Sequence, residues 1–474
     1  MAKNKLDNKY LLAIGDLTSF ILSCITGFSI FYFFVDDINQ YLPLNEINER
    51  ITIHLLLSFI GVSWFWIRLR HYTYRKPFWF ELKEILRTLA IFAIIELSTI
   101  AFSKLYLSRY LWVTIWCCTL IIVPLVRILL KKWLIKTRRY IRNTIIIGGD
   151  KNAIDAYYAL KSEDYLGLEV KYFLSSHPSK ELYTLGVPIL KDVVDAGILG
   201  LVSDPYDQFI IALEEQESTE RDYWIRYLSK HRYRSVSVIP SLRGLPLYST
   251  DMSFLFSYDV MLLRINHNLA KRTSRFIKRT ADIILSFLGL VLLSPLFVYL
   301  ILKIRQDGGK AIYGHQRIGQ NGRQFSCLKF RTMVINSEET LKDLLDTDPL
   351  AKEEWERDFK LKNDPRITPI GHFLRCTSLD ELPQLCNVLK GEMSLVGPRP
   401  IVAEELSRYD EDVDYYFMAK PGMTGLWQVS GRNDVDYQKR VYFDSWYVKN
   451  WSLWNDLVIL CKTISVVIKR SGAY

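Results

Sequence analysis

The chain has 474 residues, of which 49% are hydrophobic, and its formal net charge is +10 at pH 7. This length allows two or three domains, and the apolar content excludes a wholly soluble protein. Much of the positive charge lies beside apolar segments, so anionic lipid headgroups and phosphorylated substrates explain it more simply than nucleic acid does. The seven cysteines form no CxxC pair and the seven histidines are scattered, so the sequence indicates neither a disulfide framework nor a zinc site.

Four apolar runs occupy the first third of the chain, and each is close to the roughly 20 residues that a helix needs to cross a membrane. They cover residues 10–34, 51–67, 85–107 and 110–130. Basic residues cluster before the first run, between the second and third, and after the fourth, whereas the loop after the first run is acidic. This pattern predicts four transmembrane helices within residues 1–140, with the N-terminus and everything after residue 131 starting in the cytoplasm. No small-residue cleavage site follows the first run, so we expect it to be retained.

The middle of the chain alternates strand-like and helix-like segments. The strand-like segments are "NTIIIGG" at 143–149, "LEVKYFL" at 168–174, "QFIIAL" at 208–213 and "SVSVIP" at 235–240. Helical stretches between them favour a mostly parallel sheet. We therefore predict a Rossmann-like α/β domain over residues 141–264.

This domain carries two weak signs of a dinucleotide site. Its first turn, "GGDKNA", lacks the later glycines of the GxGxxG motif. Tyr157 and Lys161 have the YxxxK spacing of a dehydrogenase proton relay, but they fall in the first helix, much earlier than in that class of enzyme. We therefore expect a non-catalytic domain that is kept for regulation or assembly.

A fifth apolar run, residues 281–302, has spanning length but is basic on both sides. Lys278 and Arg279 precede it and further basic residues follow it, so the charge rule assigns both ends to the cytoplasm. Ser294 and Pro295 lie near its middle, where proline breaks or kinks a helix and the serine hydroxyl can partner a freed backbone group. We predict a re-entrant helix that turns at this pair. The alternative is a kinked helix that crosses the membrane.

The last third is polar and rich in glycine and arginine. Glycine lets backbone amides approach an anion, and arginine binds phosphate oxygens through a bidentate fork. The segment "YGHQRIGQNGRQFSCLKFRTM" at 313–333 and the three glycine-containing motifs after it predict a series of phosphate-binding loops. Their basic side chains are Arg317, Arg323, Lys329, Arg331, Arg366, Arg399 and Arg432.

Asp380 and Glu381 lie among these motifs, in "TSLDELPQL". Adjacent side chains on a helix point about 100° apart, so the two carboxylates are not expected to share one proton. One can attack or bind a metal while the other holds the metal or a hydrogen bond, and Mg²⁺ suits carboxylates beside phosphates. The alternative is a helix start, with Ser378 as N-cap and two acids in the first turn. The spacing favours neither interpretation.

Four motifs together carry a family resemblance. "KFRTM", "DPRITPIGHFLR", "TSLDELPQLCNVLKGEMSLVGPRP" and "PGMTGLWQVSGRND", in this order, resemble the catalytic signature of bacterial polyprenyl-phosphate hexose-1-phosphate transferases, the monotopic phosphoglycosyl transferases. The match runs from about residue 271 to the C-terminus, and the preceding helices and α/β domain resemble the long form of that family. The resemblance implies a mainly α monotopic catalytic domain over residues 265–474, with the re-entrant membrane helix at 281–302.

The resemblance also implies roles for the candidate residues. Asp380 would be the nucleophile, Glu381 would support the metal or the incoming phosphate, and the pair would bind Mg²⁺. Ser294 and Pro295 would make the re-entrant turn. The residues implied to bind the nucleotide and phosphates are Arg366, Arg375, Arg399 and Arg432, and those implied on the headgroup side of the membrane helix are Lys278 and Arg279. Cys376 departs from the family, which commonly has a basic residue at that position.

The implied reaction is a two-step exchange. Asp380 attacks the β-phosphorus of a UDP-hexose and releases UMP, and undecaprenyl phosphate then attacks the sugar-phosphoryl aspartate to give a lipid diphosphate sugar. Galactose-1-phosphate is the favoured group, and glucose-1-phosphate is the close alternative. The resemblance further implies a homodimeric, multi-pass protein of the bacterial inner membrane whose catalytic domain faces the cytoplasm. Its product would start O-antigen, capsule or exopolysaccharide synthesis.

Three rival functions make different demands on the sequence. A membrane-anchored sugar-nucleotide dehydratase or epimerase would need an intact glycine fingerprint and a correctly placed YxxxK motif. A non-catalytic scaffold for polysaccharide export would have no need of the arginines and the Asp-Glu pair. A transferase without a covalent intermediate would let the lipid phosphate attack the UDP-hexose directly.

Overall fold

The computed structural model describes residues 2–35, 41–190, 207–231, 233, 235–241, 244, 250–255, 260–265, 268–348, 352, 361, 364–431 and 436–469. The chain forms two compact units, Met1–Arg243 and Gly244–Tyr474. Each unit has hydrophobic cores of its own.

The first unit begins with four long helices, which coincide with the four predicted spans. They are α1 (Ala2–Phe34), α2 (Ile47–Ile67), α3 (Phe78–Phe102) and α4 (Arg109–Lys136). All four are long and apolar enough to cross a membrane. Phe65, Leu89 and Val123 are fully buried where the helices pack together, whereas Phe33 and Phe102 are exposed. Exposed apolar side chains on long helices suit a hydrocarbon surrounding.

Several charged side chains inside this helical bundle form buried ion pairs. Arg127 of α4 donates hydrogen bonds to both carboxylate oxygens of Asp16 in α1. Lys131, one turn further along α4, places its Nζ 2.5 Å from Glu81 Oε2 in α3. A buried charge without a partner is strongly destabilising, so these pairs specify how α1, α3 and α4 pack.

The rest of the first unit contains the all-parallel sheet that the middle segment predicts. Its described strands are β1 (Arg142–Ile147), β2 (Leu168–Leu174), β3 (Ile189–Leu190), β4 (Gln208–Ile211) and β5 (Val236–Val238). Their order is β3-β2-β1-β4-β5, with every pair parallel. The accompanying helices are α5 (Lys151–Ser162), α6 (Lys180–Tyr183) and α7 (Ser218–Lys230). The strand order changes direction beside β1, as it does in doubly wound α/β folds.

Packing accounts for the residues that resemble a dinucleotide site in this sheet. Gly148 follows β1 with φ of +140°, and a Cβ there would lie 2.4 Å from the carbonyl oxygen of Ala212. Glycine is therefore required by the close approach of the two strand ends. Tyr157 packs against Phe173 with ring centroids 6.0 Å apart, and Lys161 lies over the Tyr157 ring.

The second unit is mainly helical in its described part, as the family resemblance implies. It begins with the antiparallel hairpin of β6 (Thr250–Leu255) and β7 (Val260–Ile265), which the sequence division had assigned to the α/β domain. The elements that follow are α8 (Arg272–Ile304), β8 (Ile312–Ile318), β9 (Gln324–Phe330), α9 (Ser337–Thr347), α10 (Pro369–Thr377), α11 (Gln384–Lys390), β10 (Ser394–Val396), α12 (Val413–Met418), β11 (Gly422–Thr424), α13 (Tyr437–Lys449) and α14 (Leu453–Lys469).

Helix α8 runs through Ser294 and Pro295 without a break. The proline has no N–H, so the carbonyl of Val291, four residues earlier, loses its helical donor. Ser294 Oγ donates a hydrogen bond to that carbonyl at 2.8 Å. The predicted role of the serine hydroxyl is confirmed, whereas a break in the helix at this pair is not observed.

Residues 313–333 form a hairpin rather than a glycine-rich phosphate loop. β8 and β9 pair in antiparallel register from Ile312 to Phe330, so part of their backbone amides bond across the ladder. The turn between them contains Asn321 at φ of +56° and Gly322 at φ of +73°. Asn-Gly between two strand-like runs is a strong hairpin signal. The prediction of a loop over this segment is therefore wrong, whereas phosphate binding by its basic side chains stays a prediction.

Candidate active site

Asp380 and Glu381 lie on a single 3₁₀ turn, Leu379–Glu381, between α10 and α11. Ser378 precedes this turn, ends α10 and adopts a left-handed conformation with φ of +56°. Its side chain makes no capping hydrogen bond. The helix-start alternative is confirmed in part: Ser378 precedes a 3₁₀ turn that contains both acids, but its side chain does not cap that turn and α11 begins only at Gln384.

The two carboxylates converge on one cation. Lys329 Nζ, from β9, lies 2.7 Å from Glu381 Oε1 and 3.5 Å from Asp380 Oδ2. The two acids meet through this lysine, whose long side chain reaches both, and the expectation that they do not share one proton stays a prediction. Asn387 of α11 fixes the hairpin beside this turn, since its Oδ1 accepts from the Leu328 N–H and its Nδ2 donates to the Ser326 carbonyl.

The electrostatics of this cluster favour a basic aspartate beside a fixed positive charge. Burial raises the pKa of Asp380 above the ordinary 3.8, the Lys329 ammonium opposes this rise and Glu381 adds to it. Burial lowers the pKa of Lys329, but Glu381 and then Asp380 outweigh burial and raise it overall. Lys329 is therefore protonated at neutral pH, and the Asp380 carboxylate is more basic than that of an exposed aspartate.

Arg375 reaches the same site from the last turn of α10. Its Nε donates to Thr332 Oγ1 at 3.0 Å, and its charge opposes the raised pKa of Asp380. Thr368 starts α10 by accepting a hydrogen bond from the Gly371 N–H at 3.0 Å. Among the described residues none accepts a hydrogen bond from the Nη atoms of Arg375. These atoms are suited to bind a phosphate beside Asp380.

Arg399, in the "GPRP" motif, is held by an aromatic ring and a buried acid. Its guanidinium lies 5.2 Å from the centroid of Trp427, and the guanidinium of Arg440 lies 5.0 Å from the same ring. Asp444, which is 2% exposed, accepts a hydrogen bond from Tyr409 Oη at 2.8 Å. Burial raises the pKa of Asp444 to about 7, although the Tyr409 hydrogen bond and the charge of Arg399 both act to lower this pKa.

Sequence reasoning missed this supporting group. Trp427 lies in the last of the four motifs, Tyr409 and Asp444 lie outside them, and the contacts of these residues join parts of the chain far apart in sequence. The available signal is an acid within the aromatic run "YFDSWY" of α13, because a charge among large apolar residues needs a partner when buried.

Two of the predicted phosphate-binding arginines have structural roles instead. All five donor groups of Arg331 are used, because its Nε, Nη1 and Nη2 donate to both carboxylate oxygens of Asp307 and to three backbone carbonyls. Arg366, which is 8% exposed, forms a bidentate pair with Asp364 at 2.8 and 2.7 Å. With these partners both guanidinium groups support the fold, and phosphate binding by Arg331 and Arg366 stays a prediction.

The structure separates the other basic residues predicted for the phosphate-binding loops, because Lys329 lies at the Asp380–Glu381 pair and Arg317 does not. The hairpin register pairs Lys329 with Tyr313, whereas Arg317 pairs with Phe325. Four residues along a strand correspond to about 13 Å, so Arg317 is not brought to the Asp380–Glu381 pair. Its Nη1 lies 3.8 Å from Glu405 Oε2. Arg432 lies outside the described residues.

Lys278 and Arg279 point into the second unit. Lys278 Nζ lies 2.7 Å from Asp456 Oδ2 in α14. Arg279 donates to the carbonyls of Val388 and Leu389, at the end of α11, at 2.5 and 2.7 Å. Both side chains therefore hold α8 against α11 and α14, and their place on the headgroup side of the membrane helix stays a prediction.

Comparison with known proteins identifies the family. Residues 273–470 match the family described as "Bacterial sugar transferase". Over 468 residues, covering 98% of this chain and 99% of the relative, the sequence is 59% identical to an uncharacterized sugar transferase of Haemophilus influenzae. The chain belongs to the bacterial sugar transferase family.

Two further relatives of this sugar transferase carry more specific names. One is an undecaprenyl-phosphate galactose phosphotransferase of Salmonella typhimurium, 56% identical over 478 residues that cover 99% of this chain and 100% of the relative. The other is a UDP-galactose-lipid carrier transferase of Erwinia amylovora, 55% identical over 464 residues that cover 98% of this chain and 97% of the relative.

Asp380 and Glu381 are the residues of this sugar transferase that fit Mg²⁺. In the described ranges, no group of three or more His, Cys, Asp and Glu side chains could hold a metal. Lys329 occupies one oxygen of each carboxylate, and no described residue donates a hydrogen bond to Asp380 Oδ1 or Glu381 Oε2. Mg²⁺ needs only one or two carboxylates where substrate phosphates supply further oxygens, so the donor set fits.

Proposed function

We propose that this sugar transferase moves a hexose-1-phosphate from UDP-hexose to undecaprenyl phosphate and releases UMP. The observation that carries the proposal is the convergence of Asp380 and Glu381 on Lys329, 3.5 and 2.7 Å from its Nζ, with Arg375 beside Asp380. Transfer of a phosphoryl group between two phosphates requires a nucleophilic carboxylate, a fixed cation and a guanidinium that can bind phosphate oxygens.

In the first step, Asp380 attacks the β-phosphorus of UDP-hexose. A bond forms between a carboxylate oxygen and phosphorus, and the bond from phosphorus to the bridging oxygen breaks with its electron pair leaving on UMP. In the second step an oxygen of undecaprenyl phosphate attacks the same phosphorus, and Asp380 leaves as a carboxylate. Asp380 attacks in its ionised form, so neither step needs a proton taken from it.

The neighbouring side chains handle the charge that develops on the phosphate oxygens. Lys329 holds a positive charge between the two carboxylates, and the charge of Arg375 acts on Asp380 as well. Arg399, fixed over Trp427, binds a second phosphate or the nucleotide. Asp380 and Glu381 would hold Mg²⁺, which neutralises phosphate charge when bound. A direct attack by the lipid phosphate, without the aspartyl intermediate, is the alternative mechanism.

The packing of α8 supports a helix that enters the membrane without crossing it. Near its start, Asp282 accepts hydrogen bonds from Ser394 Oγ and the Leu395 N–H, both at 3.1 Å. At its end, Leu300 and Ile304 pack in another core of the same unit. Apolar side chains between these ends are exposed, including Phe287, Val291, Leu292 and Val298. A helix anchored at both ends to one polar unit is best accommodated as a re-entrant segment.

The same proposal covers the rest of the molecule. Helices α1 to α4 cross the bacterial inner membrane, and both units place their polar parts in the cytoplasm, where UDP-sugars are made. The Rossmann-like α/β domain is non-catalytic, and the protein is a homodimer. Galactose is the favoured sugar because two near full-length relatives have galactose in their names, and glucose is the alternative. The product begins O-antigen, capsule or exopolysaccharide synthesis.

A release assay tests the proposal. Purified full-length protein is incubated with Mg²⁺, undecaprenyl phosphate and each of a panel of UDP-hexoses, and UMP is measured. We expect UMP and a lipid diphosphate sugar with UDP-galactose, and neither product with the Asp380→Asn variant. Absence of UMP with every UDP-sugar would reject the function. Transfer of β-phosphorus label from UDP-hexose to the protein, before lipid is added, distinguishes the covalent mechanism from direct attack.

A further inference from the structure

Asn387 of α11 is fully buried beside the strand that carries Lys329. Its Oδ1 accepts a hydrogen bond from the Leu328 N–H at 3.0 Å, and its Nδ2 donates to the Ser326 carbonyl at 2.8 Å. The carbonyl of one residue and the N–H two residues later are the groups that a neighbouring parallel strand would bind. β9 pairs with β8 along one edge. The asparagine side chain therefore takes the place of a strand along the other edge of β9.

Glu392 fixes the orientation of the Asn387 amide. Asn387 Nδ2 donates a second hydrogen bond to Glu392 Oε2 at 2.6 Å. The amide nitrogen thus meets two oxygens, whereas the amide oxygen meets an N–H group. Rotation of the amide by half a turn would place Oδ1 against the oxygens of Ser326 and Glu392, where no hydrogen bond can form. The three partners together therefore select one orientation of the amide.

Asn387 joins the two elements that carry the groups of the candidate site. Lys329 directly follows Leu328 in β9, and α11 directly follows the segment that contains the acid pair. Lys329 Nζ lies 2.7 Å from Glu381 Oε1 and 3.5 Å from Asp380 Oδ2. Any sliding of β9 along α11 would change both of these distances. The hydrogen bonds of Asn387 therefore help to set the distance between the ammonium group and the two carboxylates.

Apolar packing holds the strand on the other side of Lys329. Phe330 is fully buried, and Leu379 and Leu382, which flank the acid pair, pack against the core that contains it. Dispersion contacts between apolar side chains are individually weak and have no fixed direction, whereas a hydrogen bond requires both a distance and an angle. Asn387 is therefore the contact that fixes the register of the strand against the segment with the two acids.

We propose that Asn387 is a positioning residue that holds Lys329 against Asp380 and Glu381, and that Glu392 orients the Asn387 amide for this role. Asn387 acts on the reaction through Lys329, so its effect on turnover rests on the proposed function. The position of the lysine can also be measured without turnover. Glu381 and Asp380 raise the pKa of Lys329 against the effect of burial, and a lysine that moves away from them loses this effect.

Amine labelling of the purified full-length protein tests this placement without measuring the reaction. A trace of acetic anhydride acetylates lysines in their neutral form, and mass spectrometry gives the label on Lys329 relative to that on the exposed Lys342. We expect Asn387→Ser, which removes the amide, to raise the relative label on Lys329 about threefold, which corresponds to about half a pKa unit. Glu392→Asp keeps the charge but withdraws the carboxylate, and should raise the label by a smaller factor.

Matched controls show whether the change is confined to the site. Asn336→Ser and Glu338→Asp make the same substitutions at exposed positions and should leave the label on Lys329 unchanged. Lys278, which pairs with Asp456 in the same unit, should keep its wild-type label in every variant. An equal rise at Lys278 and Lys329, or a wild-type label on Lys329 in both test variants, would overturn the proposal. Glu392 is half-buried, so its variant should fold even if Asn387→Ser does not.

A double-mutant cycle separates positioning from a general effect on catalysis. We expect Asn387→Ser to lower kcat for UMP release about tenfold in the wild-type background, since a small misplacement of a catalytic group can cost up to about 10²-fold. In the Lys329→Gln background the same substitution should cost less than about twofold. Equal losses in the two backgrounds would overturn an action through Lys329. If the wild-type protein releases no UMP, the proposed function is rejected, and the label on Lys329 still decides whether Asn387 holds it.

Discussion

Lys329 and Glu381 form a 2.7 Å ion pair between a β-strand and a 3₁₀ turn that are 52 residues apart in sequence. The pair places a cation within 3.5 Å of Asp380 as well. Glu381 therefore acts on Asp380, the proposed nucleophile, through the shared Lys329. Substitutions at the three positions can test the role of each side chain separately.

Loss of the lysine should impair catalysis more than folding. We expect Lys329→Gln to lower the rate of UMP release by about 10²-fold or more, the usual cost of removing a charge that stabilises a transition state. The initial rate at saturating UDP-galactose is the measurement, and Lys342→Gln is the control for loss of one positive charge. A rate within threefold of wild type would show that Lys329 has no catalytic role.

The pH dependence of the reaction should report the ionisation of Asp380. Its pKa is raised above 3.8 by burial, with Lys329 opposing and Glu381 adding to the rise. The nucleophile must be ionised, so activity is present above this pKa and is lost as the pH falls through it. Removing the cation in Lys329→Gln should move the acid limb of kcat/KM to higher pH, and Glu381→Gln should move it to lower pH. Shifts in the same direction in both variants would contradict this assignment.

Arg331 should behave as a structural residue. Arg331→Lys keeps the charge but loses most of the five hydrogen bonds to Asp307 and the backbone, so we expect a loss of about 2 kcal/mol or more in stability. The measurement is the thermal midpoint of the detergent-solubilised protein, together with KM for UDP-galactose. An unchanged midpoint with a higher KM would return Arg331 to the phosphate site.

Asp444 should make the folded protein less stable as the pH rises. Its pKa is raised to about 7 by burial, so between roughly pH 4 and pH 7 the folded state holds a proton that the unfolded chain has released. Stability from this group is therefore lost across that range as the pH increases. We expect the thermal midpoint of Asp444→Asn to fall less than that of wild type from pH 5 to pH 7, by about 3 °C or more. Parallel pH profiles for the two proteins would refute the shift.

Whether α8 crosses the membrane can be tested by labelling, which shows on which side of the membrane each end of the helix lies. In a background without the native cysteines, Thr273→Cys and Gln306→Cys lie at exposed positions before and after the apolar run. We expect both to react with a membrane-impermeant thiol reagent only after the cells are opened, because both ends bind one unit, which the proposed topology assigns to the cytoplasm. Asn45→Cys, in the loop between α1 and α2, should react in intact cells. Labelling of one α8 site in intact cells and not the other would show a crossing helix.

Some elements of the fold could be predicted from the sequence, and others could not because they depend on pairings between distant parts of the chain. The helix-like and strand-like runs predicted α1 to α4, the apolar part of α8, and β1, β2, β4 and β5, because local hydrophobic patterning is enough to specify such elements. The hairpin of β8 and β9 was missed although its Asn-Gly turn was visible, since glycine and arginine density was given more weight than turn chemistry.

The sequence by itself determined the membrane helices, the family motifs and the candidate pair Asp380 and Glu381, because these depend on composition and local order. Tertiary structure decided which basic residues serve that pair. Lys329 and Arg375 reach it, Arg331 and Arg366 are used by nearby acids, and Lys278 and Arg279 hold the membrane helix. All are equally charged in the sequence. Their functions differ because a guanidinium or ammonium group binds whichever acceptor the fold brings within about 3 Å.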